Sequence, residues 1–126
     1  MKEIKMYKCD ICGNLVIMMN DSGVTPECCG EPMSEPEVNM VDASFEKHVP
    51  VITLHEDHIT VNIGETDHPM KKEHFIKWII LITDKGIQTV YLEPGEQPAA
   101  EFSIYSDERP LAVYAFCNIH GLWSAR

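Results

Sequence analysis

The sequence is poor in positive charge and contains no long apolar run. Its 20 acidic side chains outnumber the 10 lysines and arginines, and the formal net charge is -10. This balance argues against nucleic acid and anionic membranes as partners. The longest apolar run, at residues 78–82, is far too short to cross a bilayer. The charges within residues 1–8 do not fit a signal peptide, so the expected location is the cytoplasm.

Helical periodicity and internal repeats are also missing, and the patterns that remain are those of short strands. Residues 58–63 alternate polar and apolar side chains, and residues 75–83 are rich in β-branched and aromatic ones. Asp84-Lys85-Gly86 predicts a three-residue hairpin loop, in which Gly86 suits a positive φ. The returning strand and three further strands are expected at residues 87–92, 51–55, 100–105 and 111–116.

Composition divides the chain near residue 37. Four of the five cysteines lie within the first 29 residues, and the Pro- and Glu-rich residues 30–37 predict a linker. We therefore expect a small domain at residues 1–37 and a larger one at residues 38–126. About seven short strands separated by turns predict a mainly β fold for the larger domain, specifically a β-sandwich. The smaller domain is too short to bury a useful core unaided, so a metal is expected to stabilise it.

The four early cysteines form one predicted metal-ligand set: Cys9, Cys12, Cys28 and Cys29. In the absence of a secretion signal, such cysteines indicate metal binding or redox chemistry rather than disulfides. A Cys28–Cys29 disulfide would be strained, because consecutive Cα atoms lie only about 3.8 Å apart. Gly13 and Gly30 permit tight turns whose backbone N–H groups can point at sulfur. The thiolate set alone does not distinguish structural zinc from iron.

A second predicted ligand set lies in the larger domain: His48, His68, His74, Cys117 and His120. Four imidazoles and one thiolate are one ligand too many for tetrahedral zinc, and they suit iron, which accepts five or six ligands. Five ligands leave one coordination position open for a substrate. The two-residue gap between Cys117 and His120 is the strongest fragment. Cys117 alone could be an inert core cysteine, but the conjunction of the fragments favours a metal site.

Two other histidines are interpreted differently. His55 and His58 flank Glu56-Asp57 at a predicted turn, and we interpret both as solvated residues without a metal role.

Taken together, the two ligand sets resemble those of the desulfoferrodoxin family, the two-iron superoxide reductases of anaerobes. The resemblance rests on EKHVP at residues 46–50, HPM at residues 68–70 and CNIHGLW at residues 117–123. The cysteine module is similar to desulforedoxin. The match covers nearly the whole chain, and no ligand is missing at either site.

This resemblance implies an Fe(Cys)4 centre in a desulforedoxin- or rubredoxin-like first domain, and a square-pyramidal Fe(His)4(Cys) centre in an immunoglobulin-like seven-stranded β-sandwich. It implies that Cys117 is the axial ligand and that four histidines are equatorial: His48, His68, His74 and His120. It also implies a homodimer, rubredoxin as electron donor and no organic cofactor. The implied reaction is reduction of superoxide to hydrogen peroxide with one electron and two protons, without release of dioxygen.

The resemblance also gives roles to the two residues before His48. Lys47 attracts superoxide, and Glu46 is a sixth ligand to ferric iron. A unit charge at about 10 Å contributes only about 0.4 kcal/mol in water, so Lys47 must lie close to the metal to matter. Lys71 and Lys72 are expected to add to a positive rim. Without the resemblance, Glu46 and Lys47 would be interpreted as an exposed ion pair of little consequence.

Two other functions compete with the enzyme. One is an iron protein that only carries electrons, and the other is a zinc-stabilised interaction module. A five-ligand set with an adjacent lysine and glutamate favours the superoxide reductase.

Overall fold

The computed structural model describes residues 4–39 and 45–125. The chain divides into two compact units, Met1–Glu37 and Val38–Arg126. Within the described ranges, every helix is too short or too polar to reach across a membrane.

The first unit consists of two antiparallel hairpins. One pairs β1 with β2, and the other pairs β3 with β4. The strand bounds are β1 Met6–Lys8, β2 Leu15–Ile17, β3 Glu27–Cys28 and β4 Glu31–Pro32.

Very little apolar surface is buried in this unit. Its core cluster consists of Tyr7, Cys9 and Met33, with Met18 and Cys28 packed against it. Two of these five residues are cysteines of the predicted ligand set. So small a core agrees with the expectation that a metal stabilises this unit.

The second unit contains seven strands in two antiparallel sheets within its described residues. One sheet has the strand order β5-β6-β9, and the other has the order β11-β10-β7-β8. The bounds are β5 Pro50–Leu54, β6 His58–Ile63, β7 Ile76–Thr83, β8 Ile87–Tyr91, β9 Ala99–Ser103, β10 Pro110–Cys117 and β11 Gly121–Ala125. A single helical turn, α1 Phe45–His48, precedes β5. The prediction of a mainly β fold with a seven-stranded sandwich is confirmed.

The two sheets share one core. Ile59, Val61 and Phe102 project into it from the three-stranded sheet, and Leu81 and Val113 from the four-stranded sheet. Alternating exposure along β6 places its apolar side chains on the inner face. In contrast, β7 is buried continuously from Ile79 to Thr83, and it lies between β8 and β10 in the sheet. The uninterrupted apolar run at residues 78–82 therefore belongs to an interior strand.

The predicted loop at residues 84–86 joins β7 to β8, but Gly86 does not have a positive φ. The loop therefore forms without the positive φ that glycine would permit at this position. Instead, the Thr83 hydroxyl closes the loop by accepting hydrogen bonds from the backbone N–H groups of Lys85 (3.1 Å) and Gly86 (3.2 Å). A threonine side chain thus replaces the left-handed glycine that the sequence pattern suggested.

The strand β11 is absent from the sequence-based predictions. It begins at Gly121, where φ is +79°, directly after His120. Leu122 and Trp123 are both buried, so two consecutive side chains contribute to packing. This breaks the alternation by which short strands are recognised in a sequence.

Candidate metal centres

The first pair of cysteines lies in the loop between β1 and β2. The backbone N–H of Gly13 donates to the carbonyl of Cys9 (2.9 Å), and Gly13 has a φ of +83°. This tight turn brings the N–H of Cys12 to 3.4 Å from the sulfur of Cys9. The loop therefore presents two sulfurs on one side, with a backbone dipole directed at one of them.

The second pair lies in the turn of the β3–β4 hairpin. Cys28 pairs with Glu31, and the two residues between them both have positive φ: 55° at Cys29 and 76° at Gly30. Two consecutive positive φ angles are typical of the tightest hairpin loops. A left-handed conformation is uncommon for a residue with a side chain, and here it lets adjacent cysteines point their sulfurs to the same place.

The four sulfurs all lie within 4.8 Å of one another. Two of the separations are 3.6 Å, between Cys12 and Cys28, and 4.0 Å, between Cys28 and Cys29. Metal–sulfur bonds of about 2.3 Å in a tetrahedron place sulfurs about 3.8 Å apart, so the cluster has the right size for one ion. Cys9 is buried, whereas Cys12 and Cys29 are exposed.

The surroundings of the sulfurs shift the pKa values of Cys9 and Cys29 in opposite directions. The backbone N–H of Cys12, which points at sulfur, lowers the pKa of Cys9 to about 6. Hydrogen bonds with the thiols of Cys12 and then Cys9 raise the pKa of Cys29 to about 12. One sulfur thus ionises easily and discourages ionisation of the next. A cation in the centre removes this conflict, because it stabilises all four thiolates at once.

The second set of donors comes from four separate segments of the sandwich unit. His48 ends α1, and His68 and His74 lie in the connection between β6 and β7. Cys117 ends β10, and His120 lies in the short turn that leads into β11.

The four imidazole rings form a closed square. The centroid distances around it are 4.6 Å for His48–His68, 4.7 Å for His68–His74, 5.1 Å for His74–His120 and 4.8 Å for His120–His48. Each neighbouring pair is nearly perpendicular, with interplanar angles between 77° and 87°. Across the square, His48 and His74 are 6.3 Å apart.

The distances between the rings show which coordination geometry they would give a bound metal ion. With metal–nitrogen bonds of about 2.1 Å, a square plane places neighbouring ring centres about 4.6 Å apart and opposite ones about 6.5 Å apart. A tetrahedron would place every pair about 5.3 Å apart. The observed 4.6–5.1 Å along the sides and 6.3 Å across match the square.

The nitrogen atoms on the inner side of the square are poised to bind an ion. The Nε2 atoms of His68 and His74 are buried and have no hydrogen-bond partner among the described residues. The Nε2 of His48 lies 3.0 Å from the Nδ1 of His120. The donor atoms of His48, His74, Cys117 and His120 all lie within 4.8 Å of one another. Buried polar atoms without partners are costly, so the arrangement fits a bound cation.

Contacts behind the donors fix their orientation. The Nδ1–H of His68 donates to the carbonyl of Pro69 (2.7 Å), which leaves the Nε2 lone pair directed inward. The ring of His48 stacks on Trp123 with centroids 4.6 Å apart, and the indole N–H of Trp123 donates to the carbonyl of His120 (3.2 Å). The orienting role of Trp123 was missed in the sequence, although its motif, CNIHGLW, was recognised there.

Burial sets the protonation of these donors. It lowers the pKa of His68 to about 4 and also lowers that of His74, so both imidazoles are neutral donors near pH 7. It raises the pKa of the fully buried Cys117 thiol. The backbone N–H of His120 points at the sulfur of Cys117 (3.4 Å) and partly offsets this cost.

The charged residues predicted to serve the second centre are exposed where they are described. Lys47 precedes the buried His48 in α1, and Lys71 and Lys72 lie in the connection that carries two of the histidines. The side chain of Glu46 lies outside the described residues, so its role as a ligand stays a prediction.

The two remaining histidines form a separate surface cluster. Their rings stack with centroids 4.1 Å apart. His58 lies 2.8 Å from Asp57 and 3.5 Å from Glu101, and His55 lies 3.3 Å from the hydroxyl of Thr60. Neither belongs to the two convergent donor sets of the described chain.

Comparison with known proteins finds a matching family model for each of the two units. The desulfoferrodoxin family model matches residues 40–126, and the model of the desulfoferrodoxin N-terminal domain matches residues 1–35. The desulfoferrodoxin of Syntrophotalea carbinolica is 43% identical over 124 residues, which cover 98% of this chain and 97% of that protein.

Solved structures agree with the sequence matches. The superoxide reductase from Treponema pallidum is similar with a TM-score of 0.82 and 35% identity, covering 99% of this chain and 100% of that one. The 1Fe superoxide reductase from Giardia intestinalis has a TM-score of 0.55 and 32% identity, covering 64% of this chain and 95% of that one. The resemblance drawn from the motifs is confirmed, and this chain belongs to the desulfoferrodoxin family.

Proposed function

We propose that this chain is a superoxide reductase, which reduces superoxide to hydrogen peroxide with one electron and two protons. The observation that carries the proposal is the square of four imidazoles beside one buried thiol, that of Cys117. This donor set fits five-coordinate iron better than tetrahedral zinc. The named superoxide reductases of similar structure support the same assignment.

Both donor sets are proposed to hold iron, as Fe(Cys)4 in the first unit and Fe(His)4(Cys) in the second. The proposed ligands of the first are Cys9, Cys12, Cys28 and Cys29, and those of the second are His48, His68, His74, His120 and Cys117. Ferrous iron in the second centre supplies the electron that superoxide takes up.

The protein contributes to the reaction by orienting the donor side chains and, through burial, by keeping the imidazoles of His68 and His74 neutral. Because burial keeps His68 and His74 unprotonated, no proton must leave them before they bind. Cys117 is proposed to lie on one face of the square, so that superoxide approaches the other. The backbone N–H of His120 points at the sulfur of Cys117, and this hydrogen bond would reduce the electron density that the thiolate donates to a metal.

Lys47 is proposed to attract the anion. It is exposed and directly precedes the proposed ligand His48 in the chain. Lys71 and Lys72 are proposed to extend this positive rim. A local rim of this kind can act despite the net charge of -10, because salt largely screens charges that lie more than about 8 Å away.

Glu46 is proposed as a further residue that would hold iron, through its carboxylate, when the metal is ferric. The support is its place two residues before His48, on the helical turn that delivers this ligand.

Three further features are proposed from family membership: a rubredoxin-type electron donor, a homodimer and a cytoplasmic location. We also propose that the two domains meet at residue 37 and that the reaction with superoxide takes place in residues 38–126.

The test combines metal analysis with superoxide consumption. Anaerobically purified protein should contain iron in both centres, show ferric thiolate bands and consume a superoxide flux without releasing dioxygen. Stoichiometric zinc without iron would contradict the proposal. If the protein contains iron in both centres but does not consume superoxide, it would be a pure electron carrier instead.

A further inference from the structure

Asn118 stands between the two ligands Cys117 and His120, and it is exposed. Three hydrogen bonds join Asn118 to the connection that carries His74, more than forty positions earlier in the chain. The residue therefore links two ligand-bearing segments just beyond the last pair of the β10–β7 ladder.

The carboxamide of Asn118 bridges the two peptide groups that flank His74. Its oxygen accepts a hydrogen bond from the N–H of Phe75 (2.9 Å), and its nitrogen donates to the carbonyl of Glu73 (3.1 Å). Its backbone N–H also donates to the carbonyl of Phe75 (3.2 Å). Paired donation and acceptance of this kind is what a neighbouring strand would provide.

The bridge continues the sheet beyond its end. The ladder between β10 and β7 runs to Cys117, which pairs with Ile76 after a register shift. Beyond that pair one backbone bond remains, from the N–H of Asn118 to the carbonyl of Phe75, and the Asn118 side chain supplies the other two bonds. A carboxamide has the donor and acceptor of a peptide group, so asparagine is suited to this position.

The other side of His74 is fixed as well. Its own N–H and carbonyl pair with Lys71 at 3.0 and 2.9 Å. The four backbone polar groups at and beside His74 are thus all satisfied, half by Lys71 and half by Asn118. The bonds from Asn118 add to the Cys117–Ile76 pair of the ladder and tie the residues on both sides of His74 to the segment that bears Cys117.

We propose that Asn118 is a positioning residue, which fixes the His74 imidazole relative to the Cys117 thiolate and thereby slows loss of iron from the second centre. The inference rests on the proposed iron site, but not on the reaction with superoxide. It concerns how firmly the protein fixes the distance between two ligands, His74 and Cys117, that are far apart in the sequence.

Asn39 provides a matched control. Its carboxamide makes the same kind of double bridge, to the N–H (2.8 Å) and carbonyl (3.2 Å) of Ser124, and it serves no ligand-bearing loop in this way. Asn39→Leu and Asn118→Leu therefore remove equivalent pairs of hydrogen bonds. Because Asn39 has a φ of +56°, leucine there adds strain, so the control loses at least as much general stability.

The test follows ferric iron by EPR while a chelator is present in excess, since the two centres differ in ligands and hence in their high-spin signals. We expect Asn118→Leu to lose the signal of the second centre about tenfold faster than the parent, a factor that corresponds to about 1.4 kcal/mol. Its resting spectrum should also change in rhombicity. Asn39→Leu should keep the parent's spectrum and release rate, and Asn118→Asp, which keeps only the acceptor, should fall between.

Equal release from the Asn118→Leu and Asn39→Leu proteins, or an unchanged Asn118→Leu spectrum and rate, would overturn the inference. A parent protein that binds iron firmly but does not react with superoxide would remove the proposed function and leave this inference standing.

Discussion

The donors of the first centre lie in two short hairpins, and two of its four sulfurs are exposed. The donors of the second centre lie at the end of a β-sandwich and come from four segments of the chain. Three residues form the core cluster beside the first, and twelve form the core beside the second. The first unit therefore needs its ion in order to fold, while the second has a scaffold that can exist before the metal arrives.

Their donors also differ in charge. In the first centre, a thiol with a pKa near 6 sits beside another with a pKa near 12, so negative charge is shared among crowded sulfurs. In the second, burial lowers the pKa of the His68 and His74 imidazoles and raises that of the Cys117 thiol, so these three groups are uncharged near pH 7. The first attracts a cation by charge, and the second selects one by geometry.

The largest expected effect comes from removing one ligand at each centre. Cys117→Ser should abolish the fast reaction with superoxide and leave the Fe(Cys)4 spectrum intact. Cys9→Ser should do the reverse, because all proposed ligands of the second centre lie beyond residue 47. Pulse radiolysis and visible spectra would separate the two. A Cys9→Ser protein that keeps its second iron but reacts slowly would contradict the division of labour.

Metal removal should separate the two scaffolds. After both irons are stripped by a chelator under reducing conditions, amides of β1 and β2 should exchange hydrogen at nearly unprotected rates. Amides in the centre of β6 and β7 should stay protected, since these strands are packed in the sandwich core. Hydrogen exchange followed by mass spectrometry measures both in one sample. Retained protection in β1 and β2 would show that the small unit folds without its ion.

Replacing Lys47 should have a moderate effect on one centre only. We expect Lys47→Ala to slow the bimolecular reaction with superoxide about two- to fourfold and to flatten its dependence on salt. Pulse radiolysis at several ionic strengths provides the measurement, with Lys85→Ala as a control that is remote in sequence from every proposed ligand. If both variants behave alike, the attraction comes from elsewhere, such as Lys71 or Lys72.

The smallest effect on rate is expected at Glu46. Glu46→Ala should bind superoxide about as fast as the parent, since the open position must be free in the ferrous protein. Its ferric form should exchange the carboxylate for water or added anions and shift the thiolate-to-iron band. Identical ferric spectra at neutral pH would show that Glu46 does not bind the metal.

Patterns that repeat locally could be predicted from the sequence. The alternation at residues 58–63 gave β6 with its true bounds, and apolar character gave β7 to within one residue. The convergence of the donors followed from residue type and spacing, since few other roles explain such sets.

Features that depend on three-dimensional neighbours could not be predicted. The positive φ of Cys29 reflects what the hairpin turn demands and not what cysteine prefers. Trp123 could be recognised as part of a motif, but its stacking on His48 requires two segments to be placed side by side. The link from Asn118 to the His74 segment is invisible for the same reason.

The dispersal of the second donor set over four segments also bears on biosynthesis. A ribosome has delivered every sulfur of the first centre once Cys29 is translated, so that site can capture an ion while the chain is still growing. The square of imidazoles must wait until His120 has emerged. The donors of the first centre are therefore complete on the growing chain well before those of the second.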